Sequence, residues 1–304
     1  MEWNSKIINP ILIVLAALAI WWAATTDFGK FVPINQPKPA TTSETAGRQD
    51  KNTQPSSTSE TERKPRPKRD DSPLAKQLFA AAKRGKTEEI QTLLDQGVKV
   101  NIADHKGLTP LHHASAALYP SSDYTKTIEI LLSHGADVNA VGDDQLTPIH
   151  LAVSNDSLRT TALLIANGAN VNAVGGEGLT PLHLLAGCKK AVAIAEILIS
   201  HGAKVNSRSG LQKLDPLDMA VINKHVSLAK CLLAHGANAK GDARSGLRPI
   251  HLAVTQKDRV MTDLLLAYGA GVNDEGSGGM RPLDVAQGEI AQYLKSLGAK
   301  PGSF

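Results

Sequence analysis

Aromatic side chains are scarce: Phe, Tyr and Trp make up only 4% of the 304 residues. That argues against one thick core sealed by large rings and suits thin layers of short Leu- and Ala-rich helices. Cysteine is nearly absent. The two present, Cys188 and Cys231, form neither a disulfide framework nor a metal-ligand spacing. Cys231, in Ala-Lys-Cys-Leu-Leu, reads as a small core hydrophobe. No metal and no cofactor are expected. Charge of one sign is missing as well. The net charge is +4, and from Leu74 onward 23 basic side chains face 21 acidic ones. A domain so evenly balanced lacks the basic face that nucleic acid requires. No Ser/His/Asp arrangement, phosphate-binding loop or dinucleotide fingerprint occurs, so an enzyme is not expected.

One long apolar run is present. Pro10 to Thr26 carries no charge, and Ile11 to Ala24 is apolar throughout. Asn9 suits a helix cap and Pro10 its first turn. Trp3 stands at one end of the run, with Trp21, Trp22, Phe28 and Phe31 at the other, as interfacial aromatic belts would place them. A transmembrane helix or signal anchor is expected over residues 7–26, after a short tail at 1–6. A cleaved signal peptide is the competing reading. Trp21 and Trp22 fall where its cleavage region wants small residues. Lys6 against Lys30 and Lys38 hardly orients the span, whereas a short leader before a large domain favours translocation of that domain. Cleavage would instead give an exported soluble form.

Residues 27–72 read as a disordered linker. Six prolines from Pro33 to Pro67 lie among Ser, Thr, Glu and Lys with no apolar periodicity. Nothing there offsets the entropy of ordering. The basic cluster Arg63 to Arg69 is blunted by Asp70 and Asp71.

From residue 73 to 304 the chain repeats itself. Pro110, Pro148, Pro181, Pro216, Pro249 and Pro282 recur at intervals of 38, 33, 35, 33 and 33, and glycines from Gly97 to Gly298 keep the same beat. Two apolar stretches of helical spacing lie between each Pro and its Gly, giving helix, turn, helix and a glycine-ended loop. Leu-Thr-Pro-Leu-His at 108–112 and 179–183, Leu-Thr-Pro-Ile-His at 146–150, and the His-Gly-Ala-Asp-Val-Asn type of ending at 134–139 resemble the ankyrin repeat. The resemblance covers about three-quarters of the chain. It implies an all-α solenoid of seven helix-turn-helix units with β-hairpin fingers, the first and last acting as caps. Unit five departs with Asp215-Pro216-Leu217-Asp218, and Arg248 and Arg281 stand where Thr is usual. Gln145 and Lys213 replace the finger glycine.

His112, His150, His183 and His251 recur at the motif position, where the family uses them structurally. The resemblance also directs attention to the finger residue before each Pro step: Leu108, Leu146, Leu179, Leu214, Leu247 and Met280. In the family this position often lies on the concave surface. Stacked, six apolar residues form either a stripe for a protein partner or packing between fingers. Around them the tips vary: His105 and Lys106, Asp143 and Asp144, Glu177, Gln212, Arg244. Mixed polar tips around apolar anchors suit another protein as partner. The expected function is a membrane-tethered, non-catalytic scaffold that binds a protein partner through the concave ankyrin surface. The alternative is a structural or assembly module whose apolar finger column is internal packing.

Overall fold

A computed structural model describes residues 66–116, 122–209, 213–242 and 248–302. The segment expected to cross a membrane, 7–26, and most of the expected linker lie outside these residues. Among the described residues no helix is long and apolar enough to cross a membrane.

Among the described residues, seven helix pairs follow one another. They are α1 (Pro73–Arg84) with α2 (Thr87–Asp95), α3 (Pro110–Ser115) with α4 (Ser122–Ser133), and α5 (Pro148–Ser154) with α6 (Leu158–Ala166). Then come α7 (Pro181–Leu184) with α8 (Ala191–Ser200), and α9 (Pro216–Ile222) with α10 (Val226–Ala234). Finally α11 (Pro249–Thr255) pairs with α12 (Arg259–Ala267), and α13 (Pro282–Val285) with α14 (Glu289–Ser296). The recurrent Pro stands at the first position of the inner helices, where an amide donor would be unused.

Two columns build the core. Leu111, Ile149, Leu182, Leu217 and Ile250 follow that Pro, and Leu131, Leu164, Leu198, Leu232 and Leu265 occupy the outer helices; all are buried. Each such side chain contributes about 1.5–3 kcal/mol by leaving water. No single unit closes this core, so each depends on its neighbours.

Polar clamps repeat alongside. The Asn139 side chain donates to the Gly168 carbonyl at 3.0 Å and accepts from Asn170 N at 2.8 Å. Asn101, Asn172, Asn206 and Asn273 make the same pair of bonds to the next unit. Lys240 occupies the corresponding place in unit five and has no side-chain amide to make the clamp.

The linker is shorter at its C-terminal end than the composition suggested. Lys68–Arg69 forms strand β1, which pairs in parallel with β2 (Ile102–Ala103) of the first finger, Lys68 opposite Ile102 and Arg69 opposite Ala103. Asp70 N continues the ladder to the Ala103 carbonyl at 2.9 Å, and Ser72 Oγ caps α1. Two residues of main-chain pairing leave no periodicity in a sequence, which is why this edge strand was illegible there.

Candidate functional site

The fingers carry the residues singled out from sequence, and their geometry starts from the histidines. His150 Nε2 donates to the Leu179 carbonyl of the next finger at 3.2 Å. That bond places the proton on Nε2, so Nδ1 accepts, from Thr147 N at 3.2 Å and from Thr147 Oγ1 at 2.8 Å. His112 latches onto Leu146 and His183 onto Leu214 in the same way. Burial, outweighing these carbonyl contacts, holds all three imidazoles down to about 4. They are neutral structural ties, occupied on both nitrogens.

The latch weakens along the chain. His251 reaches the Met280 carbonyl at 2.9 Å, but Arg248 stands in place of the threonine and Nδ1 of His251 is left buried without a partner. Arg248 instead donates to the Glu275 and Lys240 carbonyls. In unit five Asp218 replaces the histidine. Asp218 accepts from Asp215 N while Asp215 accepts from Asp218 N, a reciprocal cap. Oδ1 of Asp218 is buried and unpartnered. Burial, reinforced by Asp215, pushes the Asp218 carboxyl up to about 8.

The apolar finger column is not an open stripe among the described residues. Leu179 is buried, and Leu108, Leu146, Leu214 and Met280 are half-buried. The reason is the next finger. The Leu108 side chain lies against Gly142 and that of Leu146 against Gly175, at 3.0 and 3.1 Å from where a β-carbon would stand. Leu108 and Leu146 therefore pack finger on finger. Leu247 lies outside the described residues, as do Gln212 and Arg244.

The tips are divided. His105, Lys106, Asp144 and Glu177 are exposed. Asp143 is engaged by the chain itself, at 2.6 Å from Arg69 and 3.8 Å from Arg66. His105 and Lys106 border a cleft of about 410 Å³ beside α1, with Phe79, Lys76 and the buried pair His113–Asp104 among its lining. Burial would raise the Asp104 carboxyl, but the His113 ring at 3.0 Å and the amides of Leu108 and Lys106 outweigh it and hold it at about 2. This pair ties finger to helix.

Sequence reasoning passed over two side chains. Val141 and Val174 sit at equivalent places on adjacent fingers and are 37% and 60% exposed. The signal was the doubled Asn-Ala-Val-Gly at 139–142 and 172–175. These segments form no strand among the described residues, and so short an alternation does not say which face is covered.

A family model described as ankyrin repeats (3 copies) matches residues 71–142, 116–209 and 213–304. The chain is an ankyrin-repeat protein. Among solved structures it is similar to the crystal structure of the human ASB11 ankyrin repeat domain, at 26% identity and a TM-score of 0.63, covering 76% of this chain and all of that one. No curated protein matches it by sequence. Ankyrin repeats generally mediate protein–protein interaction and are typically non-catalytic.

Proposed function

We propose that this ankyrin-repeat protein binds another protein through the tips of its N-terminal fingers and carries that partner at a membrane. The observation behind this reading is the exposed pair Val141 and Val174, flanked by the charged side chains of Asp144 and Glu177. Apolar anchors inside a charged rim are the usual composition of an interface centre. Among the described residues, His112, His150 and His183 are tied on both nitrogens and the finger tips are solvated, an arrangement that suits binding rather than acid–base chemistry. The apolar run at 11–24 supplies the tether, with the repeats on the translocated side.

The test is site-specific photo-crosslinking from positions 141 and 174 in the full chain on membranes. A discrete crosslinked partner, lost in the Val141→Asp/Val174→Asp variant with an unchanged urea midpoint, is the expected result. An unchanged crosslink pattern in that variant overturns the binding face. Protease protection of the same membranes reports the side, and cleavage of the repeats from the cytoplasmic side overturns translocation. The packed Leu108 and Leu146 favour a second reading, in which the fingers chiefly stabilise the stack.

A further inference from the structure

Away from the fingers, on the outer helices, Glu196 of α8 meets Cys231 of α10 and His235, which caps α10. One donor atom from each lies within 4.8 Å of the others. Cys231 Sγ is 3.4 Å from Glu196 Oε1, and His235 Nε2 is 3.2 Å from Glu196 Oε2. Tetrahedral zinc with thiolate, imidazole and carboxylate bonds sets its donors about 3.3–3.6 Å apart. Cys231 and His235 are four residues apart, so one helix face presents both.

The orientation of the imidazole is already decided. His235 Nδ1 bonds the Cys231 carbonyl at 2.9 Å, leaving Nε2 turned to the carboxylate. A main-chain acceptor on the other nitrogen is the outer-shell arrangement that fixes a metal-binding histidine. The same cap occurs at His134 and His201, on the carbonyls of Ile130 and Ile197. Those two have an isoleucine where unit five has Cys231. An imidazole nitrogen and a carboxylate oxygen at such a distance need a cation between them, a proton or a metal.

We infer that Glu196, Cys231 and His235 form a zinc site that staples unit four to unit five, water completing the fourth position. Sulfur in the set favours zinc over the hard cations, which take oxygen ligands. Without metal the thiol is protonated: burial, then the Glu196 contact, pushes Cys231 up to about 12. Binding forms the Zn–S bond and breaks S–H, and the ion also displaces the proton held between His235 Nε2 and Glu196 Oε2, so two protons pass to the buffer for each ion taken up, and affinity rises with pH.

Cobalt(II) added to the reduced full-length chain provides the probe, because a thiolate ligand produces charge-transfer absorption in the near ultraviolet. One equivalent is expected to develop the band, and zinc to displace it. Cys231→Ser, a near-isosteric change, is expected to abolish the band. His235→Asn and Glu196→Gln are expected to weaken binding by at least about 10-fold. Cys188→Ser should retain the band, since Cys188 is buried on the Val153 carbonyl. Zinc should also raise the melting temperature of the wild type and not of Cys231→Ser. Absence of the band at one equivalent, its survival in Cys231→Ser, or unchanged affinity in either of the other two variants overturns the site.

Discussion

Acid should loosen this solenoid through its histidine latches, and His150 allows the effect to be isolated. Its Nδ1 faces a backbone N–H, so a proton there would set donor against donor. The folded value is about 4 against an ordinary 6.5. A depressed group of this kind contributes stability that is present above the unfolded value and is lost as pH falls towards the folded one. One unit below the ordinary value, at about pH 5.5, protonation of the unfolded chain costs the fold about 1.4 kcal/mol per latch. Three such latches amount to about 4 kcal/mol. The total is opposed by Asp218, whose raised carboxyl moves stability the other way, so a difference measurement is needed. His150→Leu leaves Thr147 N and the Leu179 carbonyl without that partner and should cost about 2–3 kcal/mol at neutral pH. By about pH 5.5 the gap between wild type and variant should shrink by about 1.4 kcal/mol. Urea denaturation of both proteins at about pH 7.5 and pH 5.5 reads this directly. A gap that stays constant, or an NMR titration placing His150 near its ordinary value, would refute the latch argument.

Four further outcomes are expected. Asp218→Asn should remove a loss of stability that the wild type suffers as pH rises from the ordinary carboxylate range towards about 8; urea midpoints across that range check it. Leu179→Ala should lower stability by about 2–5 kcal/mol, because the side chain is a buried packing element; a negligible change would reopen its role as a contact for partners. Gln145 has a φ of 58°, so Gln145→Gly should stabilise by about 1 kcal/mol, and a lower melting temperature would contradict the strain. Lys240→Asn should restore a side-chain bond to the Gly269 carbonyl and slow hydrogen exchange across units five and six; unchanged exchange would show that the missing clamp is immaterial there.

The last two predictions mark where sequence reasoning carries through to structure. The prolines, glycines and apolar spacing specify local events: where a helix starts, where it stops and which side is greasy. These are settled within one turn of chain, so the inner-helix starts were legible before any coordinates, whereas Gln145 and Lys213, read only as replacing the finger glycine, are shown by the structure to hold positive φ. The histidines were read as structural from the family resemblance, and only the structure shows His112, His150 and His183 tied to the threonine three residues earlier.

What lay beyond reach was every relation between units. That the leucine column closes against Gly142 and Gly175, that Arg69 crosses to Asp143, and that Val141 and Val174 stay uncovered all depend on the offset between neighbouring fingers. Cys231 makes the same point, a core cysteine by its surroundings in the chain yet facing Glu196 of the previous unit. Taken alone, the amino-acid order determined that this chain stacks as a repeat array, because periodicity is a one-dimensional property. Only the tertiary structure decided which side chains the stacking buries and which it brings together, because distances across unit boundaries are set by packing and by no spacing along the chain.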